Sequence, residues 1–295
     1  MASRAGVVGV FGKTNVGKST FINNLIGKKV VIVSDRPQTT RNSIRCILTG
    51  PEGQVVFVDT PGLHQPVNKL SAYLQRQALR ALAGLDLLLY MTEPSGGVDP
   101  EDLPFLERIR AVPCPKVLIV NKMDLARGNA LEETLLVHER LGLFAELVPV
   151  SALKVKNLDR ALQVILNLLP EGPPLYEGGT LTDRPVEFVI AEIIREKIFQ
   201  LTFQEVPYST AVVVERIEER PSPPLVTIFA TIVTAKDSQK GILIGSGGSK
   251  LKEIGRAARV EMEQLLGRKV FLSLHVRVRE KWTEDPREIA ALVEG

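Results

Sequence analysis

Short apolar runs alternate with amphipathic stretches through the first 170 residues. Val7-Val8-Gly9-Val10-Phe11 is apolar throughout and predicts a buried strand, and residues 20–26 behind it predict a helix. Further strands are predicted near residues 44–49, 55–58, 85–91, 116–120 and 147–150, with helices near 69–83, 101–110, 130–141 and 155–169. Six strands and five helices in that order predict an α/β domain over residues 1–170, a doubly wound and mostly parallel six-stranded sheet covered by helices. Pro170-Glu171-Gly172-Pro173-Pro174 cannot continue a helix and marks a linker over 171–184.

Past the linker the order of elements changes. Residues 186–204 read as a long helix, with Ile190, Ile193, Ile194, Ile198 and Leu201 spaced along one face. Residues 210–218 and 225–234 read as β-branched strands separated by Pro221-Ser222-Pro223-Pro224. A short helix at 239–244, a Gly-rich loop, a helix at 250–266 and a strand at 270–278 complete an α+β domain over 185–280, followed by a tail, 281–295. There is no internal repeat.

Composition excludes more than it adds. At 295 residues, 44% hydrophobic and 24% charged, the chain is ordinary for a globular protein of two domains. No apolar run approaches a membrane span, and the start passes straight into the first strand, so no signal peptide is expected. Cys46 and Cys114 lack metal-site spacing and are expected to pack as small apolar residues in a reducing cytoplasm. The net charge of +3 is unevenly spread: residues 236–281 hold 11 basic and 5 acidic residues, between acidic neighbours. That block suits a polyanion.

The candidate chemistry starts directly behind the first strand. Gly12-Lys13-Thr14-Asn15-Val16-Gly17-Lys18-Ser19, followed by Thr20, has the spacing of a phosphate loop between strand and helix. Its glycines let backbone N–H groups turn toward a phosphate, and the helix N-terminus adds partial positive charge. Lys18 is expected to reach the β- and γ-phosphates, and the Ser19 hydroxyl to ligate Mg²⁺. Asp59-Thr60-Pro61-Gly62 follows another strand, so that Asp59 can hold Mg²⁺ through water and the Gly62 N–H can bond the γ-phosphate. Pro37-Gln38-Thr39-Thr40-Arg41 is the candidate first switch, with Thr40 on Mg²⁺ and Thr39 as the alternative. Lys18, Thr40, Gly62 and Asn15 are thus the candidates for acting on the reacting phosphate.

The base is read by two later stretches at strand ends, Asn121-Lys122-Met123-Asp124 and Ser151-Ala152-Leu153. Asp124 can accept from N1–H and the 2-amino group of guanine, two donors that adenine lacks. Asn121 is expected to tie this loop to the phosphate loop, Lys122 to cover the purine, and the Ala152 N–H to meet O6. The nucleotide is therefore expected to be GTP or GDP. Ile244-Gly245-Ser246-Gly247-Gly248-Ser249-Lys250-Leu251 fits the core of a KH domain, whose Gly-x-x-Gly loop clamps a nucleic-acid backbone. Lys250, Lys252, Arg256 and Arg259 follow the loop. Its variable positions, Ser246 and Gly247, carry no charge, which shifts phosphate contact to Lys250 and its neighbours.

Together the phosphate loop, Pro-Gln-Thr-Thr-Arg, Asp-Thr-Pro-Gly-Leu, Asn-Lys-Met-Asp and Ser-Ala-Leu resemble the Era family of bacterial GTPases over essentially the whole chain. The resemblance implies a GTPase domain and an RNA-binding KH domain of the bacterial type. It further implies a cytoplasmic monomer acting on the 3′ end of 16S rRNA in maturation of the small ribosomal subunit, with peripheral attachment to the inner face of the cell membrane as a further expectation. Where many GTPases place a water-orienting Gln, this chain has Leu63, as the resembled group does. By the same resemblance, Asn15 is expected to help hold a K⁺ ion against the phosphates. The alternative is a GTP-dependent regulator whose basic block meets a membrane surface or a protein instead of RNA. The apolar residues Leu251, Ile254, Ala257 and Ala258 have core spacing, which speaks against lipid.

Overall fold

Four strands form the buried centre of the first sheet: β1 (Arg4–Gly12), β3 (Gly53–Asp59), β4 (Leu87–Thr92) and β5 (Lys116–Val120). They are apolar on both faces because helices cover both, the usual state of a parallel sheet. β2 (Ile44–Gly50) and β6 (Glu146–Pro149) complete the order β2-β3-β1-β4-β5-β6, with only β2 antiparallel. Five helices accompany it: α1 (Lys18–Ile26), α2 (Lys69–Arg80), α3 (Leu103–Arg110), α4 (Ala130–Arg140) and α5 (Leu158–Leu168). This computed structural model describes residues 3–34, 36, 39–63, 65–222 and 224–294. Pro37 and Gln38 of the candidate first switch and Pro223 between the second domain's first strands lie outside them.

Phe11, Leu88, Tyr90, Leu118 and Val120 pack with Phe105, Leu106 and Ile109 of α3. Each such side chain, fully buried, stabilises the fold by about 1.5–3 kcal/mol. Some boundaries differ from the sequence pattern for local reasons. The last helix of the domain starts at Leu158 because Val155 (φ 53°) and Asn157 (φ 62°) adopt left-handed backbone. The helix expected at 101–110 opens instead as a 3₁₀ turn, with the Asp99 carboxylate accepting from the Glu101 N–H.

The contacts divide the chain into residues 1–66 with 74–183, and residues 184–295 with 67–73. Residues 171–183 therefore count with the first unit. Breaking helices does not leave their amides idle, because these run along the outer edge of β2. Ile47 N–H donates to Leu181 O (2.9 Å), and Cys46 bridges Thr182. The fully buried Gln54 side chain accepts from the amides of Leu175 (2.8 Å) and Tyr176 (2.9 Å) and donates to Tyr176 O (2.9 Å). An edge strand covered in this way cannot pair with another chain.

In the second unit β7 (Thr210–Pro221), β8 (Pro224–Thr234) and β9 (Lys269–Val278) form a sheet in that order, β7/β8 antiparallel and β8/β9 parallel. The parallel pair needs a long crossover. α7 (Asp237–Ile244) and α8 (Ser249–Leu266) supply it, and with α6 (Val186–Leu201) they bury Val226, Ile228, Ala230 and Ile232 of β8. The tail expected over 281–295 carries a 3₁₀ turn and a helix. Trp282 is fully buried and donates its Nε1–H to Ser209 O (3.1 Å), and α9 (Pro286–Glu294) buries Ile289, Leu292 and Val293. Their spacing puts these three on one helical face, a signal short enough to miss.

Candidate nucleotide site and Gly-rich loop

In the sheet β1 lies between β3 on one side and β4 on the other, so the loop behind β1 lies at the switch point where doubly wound sheets bind ligands. A cavity of about 450 Å³ opens there, lined by Thr14, Asn15, Gly17, Lys18, Ser19, Thr20, Thr40, Gly62, Asn121, Lys122, Asp124, Ser151 and Ala152 among others. Gly12, Val16 and Asp59 stand behind that wall. Lys13, expected at the nucleotide, turns its side chain away, to Asp99 and to Glu101 (2.9 Å). Its carbonyl faces inward and accepts from Lys18 Nζ (2.8 Å), as does Gly12 O (3.0 Å). Burial lowers the Lys18 ammonium to about 8, opposed by the charge of Asp59. A bound phosphate would supply the counter-charge that this buried cation has too little of.

Ser19, Thr40 and Asp59 converge. Ser19 Oγ donates to Asp59 Oδ2 (2.8 Å), Thr40 Oγ1 donates to the same oxygen (3.2 Å), and the two hydroxyls lie 3.2 Å apart. Three hard oxygens gathered at the phosphate loop are the donor chemistry Mg²⁺ prefers. Thr39 Oγ1 instead donates to Arg36 O (2.7 Å), so the geometry sets Thr40, not Thr39, beside the other two. The Thr60 hydroxyl pins the segment after β3 to Val10 O (2.6 Å), and Leu63 N–H donates to Gly12 O (3.0 Å). The Leu63 side chain packs against the cluster around Phe11 and Tyr90. At Gly62 a Cβ would lie 2.5–2.8 Å from Thr14, including its backbone, so only glycine lets these two loops touch.

Asn121 is buried and holds the base loops to the phosphate loop. Its Nδ2 donates to Val16 O (2.8 Å), and its Oδ1 accepts from Ala152 N–H (2.8 Å). A Cβ on Gly17 (φ 100°) would come within 2.3 Å of that Nδ2, so the bond requires glycine there. The Ala152 N–H, expected to meet O6, is already given to Asn121; O6 could only share it. Lys122 adopts left-handed backbone (φ 61°) and pairs with Glu93. Asp124 is exposed, and the Ser151 hydroxyl, with Lys154 and Lys156 nearby, holds its carboxyl below the usual range. It is ionised at neutral pH and ready to accept.

Three residues of this site carry no motif. Asn24 Nδ2 donates to Ala152 O (2.7 Å), fixing the peptide that follows the one whose N–H Asn121 holds. Asn23 bonds Val30 N–H (2.8 Å), Val31 N–H (3.1 Å) and Val31 O (2.8 Å), setting the loop whose Ile32 and Val33 line the cavity. Glu93 holds Lys122. The signal for the first two was adjacent asparagines, poor helix formers, inside a helix.

In the second unit Ser246–Gly248 is a 3₁₀ turn between α7 and α8, with Gly245 (φ 71°), Gly247 (φ 56°) and Gly248 (φ 79°) in left-handed backbone. Ile244 is half-buried before it. Lys250 pairs with Glu253 (2.7 Å), while Lys252, Arg256 and Arg259 form an exposed stripe opposite buried Ile254, Ala258 and Met262. The apolar side of α8 is thus spent in the core.

A family model described as "50S ribosome-binding GTPase" matches residues 7–122, and one described as "KH domain" matches residues 205–283. GTPase Era of Geobacter metallireducens is 44% identical over 98% of this chain and 97% of its own. GTPase Era of Thermotoga maritima is 48% identical over 96% of this chain and 95% of its own. Among solved structures, a tyrosine-to-alanine variant of Aquifex aeolicus Era bound to GDP and aluminium fluoride superposes with a TM-score of 0.93, at 37% identity over 98% of both chains. Era in complex with MgGDPNP and nucleotides 1506–1542 of 16S ribosomal RNA gives 0.92, at 36% identity over 98% of both chains.

Proposed function

The chain belongs to the Era family of bacterial GTPases, and from that premise we propose how its residues work as a nucleotide-controlled RNA-binding protein. The single observation that carries most is the convergence of Lys18, Ser19, Thr40 and Asp124 on one cavity, with the Asp59 carboxylate bonded to both hydroxyls from behind. Lys18 neutralises the β- and γ-phosphates. Ser19 and Thr40 hold Mg²⁺, which Asp59 holds through water; the ion would offset charge on the phosphate oxygens. The Gly62 N–H bonds the γ-phosphate, and losing that bond on hydrolysis frees the segment after it. Asp124 selects guanine, backed by Asn121, Ser151 and Ala152, and Lys122 covers the ring.

Leu63 has no atom with which to orient water. The transition state must therefore be stabilised by charge, and Asn15 is the candidate for holding K⁺ beside the phosphates. Turnover is expected to be slow and several-fold faster in KCl than in matched NaCl, with Asn15→Ala equalising the two. Equal parental rates would remove the ion.

The second domain engages RNA through Gly245–Gly248, Ile244, Lys250, Lys252 and Arg256. The RNA bound by the Era structure above makes the 3′ end of 16S rRNA, and so small-subunit maturation in the cytoplasm, the first target to test. Ile254, Ala258 and Met262 of α8 are spent in the core, and its exposed apolar residues, Val260 and Leu265, are too few to make a lipid-binding face, so RNA is favoured over a membrane surface. RNA crosslinking mapped by sequencing decides this. Crosslinks should gather at the 3′ end and change between GTP- and GDP-bound protein; a scattered map, identical in both states, would remove the function.

A further inference from the structure

The second sheet has two faces, and its crossover helices use only one. Among the described residues, α6, α7 and α8 bury the side chains of Val226, Ile228, Ala230 and Ile232. The alternate positions of β8 face the other way, and their register neighbours form rows across the sheet. Arg216, Phe229 and Ser273 make one row, and Glu218, Thr227 and Phe271 the next. Arg220, Leu225 and Lys269 lie beyond them. On the other side come Val213, Thr231 and His275, then Ala211, Val233 and Arg277. At that last row Ala211 and Val233 are buried. Away from it Thr227 and Thr231 of the central strand are buried between their row neighbours, while Val213, Arg216, Phe271 and His275 are exposed.

Two features of this face do not suit plain solvent. Phe271 is 56% exposed, although a strand end could carry any polar residue there. The Arg216 guanidinium lies 4.1 Å from the centroid of the Phe229 ring, a flat cationic surface one row away. Flat aromatic and guanidinium surfaces are what unpaired bases stack on, whatever their sequence. The charge points the same way: Arg216, Arg220 and Arg277 against Glu215 and Glu218, while Lys269 at the strand start pairs with Glu263 of α8 (3.5 Å). Both carboxylates are engaged, Glu218 by Arg216 (3.2 Å) and Glu215 by the Thr231 hydroxyl (2.7 Å). Among the described residues β9 pairs only with β8, so the strand carrying Phe271, His275 and Arg277 is also an edge of the sheet.

We propose that this face, centred on Phe271 and the Arg216–Phe229 pair, is a second binding surface for single-stranded RNA. A strand held at the Gly-rich loop continues past the edge of β9, stacks bases on the face and sets phosphates against Arg277. The face adds to the loop's hold on long RNA and contributes nothing for an RNA short enough to fill the loop alone. It depends on the second domain binding RNA as proposed above.

The test uses the full chain, a single-stranded RNA of about four nucleotides, which the loop alone accommodates, and one several times longer that contains it. Phe271→Ala should weaken the long RNA roughly tenfold, the size of losing one stacked base, and leave the short one unchanged. Arg277→Gln should reduce the slope of log affinity against log salt by about 0.7, one phosphate contact. Unchanged GTP turnover in both variants shows that they are folded. Parental affinity and salt slope for the long RNA in both variants would overturn the proposal while the loop stands. Failure of the parent to bind either RNA would overturn the RNA-binding function, and the face with it. A loss of self-association in Phe271→Ala, with RNA binding intact, would make the face a contact between copies.

Discussion

Asp124→Asn is expected to lower the preference for guanine nucleotides by about 10⁴ and to raise that for xanthine nucleotides. A site built on hydrogen bonds to a ligand's N–H groups discriminates by about 10⁴–10⁵ against an analogue lacking them. An amide presents one donor and one acceptor where the carboxylate presents two acceptors, and xanthine exchanges a donor for an acceptor at the matching position. Asp124 is exposed, so the replacement buries no new polar group and the fold should be untouched. Ser151, the main stabiliser of the charged form, can still donate to the amide oxygen, though the bond is weaker than one to a carboxylate. Competition between GDP and xanthosine diphosphate measures the outcome. If the variant still prefers guanine tenfold or more, another group reads the base.

The second large effect is expected in the other domain. Gly247→Asp with Gly248→Asp should reduce RNA affinity roughly 30-fold or more, since two negative charges replace the closest approach to a phosphate backbone. Both positions have open space where a Cβ would go, so nothing in the free protein clashes. Both have positive φ, which costs about 1–2 kcal/mol per residue at most and which Asp tolerates better than most. Basal GTP turnover should stay within twofold, and any stimulation by RNA should disappear. Filter binding with an oligonucleotide from the 3′ end of 16S rRNA gives the answer; undiminished binding would leave the loop as a turn only.

Much of the nucleotide site was legible because its chemistry fixes spacing. A phosphate loop needs its glycines and lysine within eight residues, and strand ends mark where the base loops fall. What stayed hidden depends on distance in space rather than along the chain. Asn24 reaches Ala152 across 128 residues, and no local pattern announces that bond. The choice between Thr39 and Thr40 is a matter of which hydroxyl faces Asp59, decided by backbone direction. Lys13 reads as part of the loop in sequence, yet its side chain is drawn out by Asp99 and Glu101. Trp282 and α9 were missed because a single short helix gives little periodicity. Proline and glycine in residues 171–183 correctly predicted the absence of helix, but an absence of helix is not an absence of partners.

The segment along β2 also decides where the first domain ends for anyone wishing to produce it alone. Composition suggests stopping at Pro170. A chain cut there would bare the β2 edge, inviting sheet-to-sheet aggregation. It would also strip the Gln54 amide of three hydrogen bonds, each worth about 1 kcal/mol. Thirteen further residues, to Asp183, return both, so the soluble boundary of this domain is set by the partners of a buried glutamine.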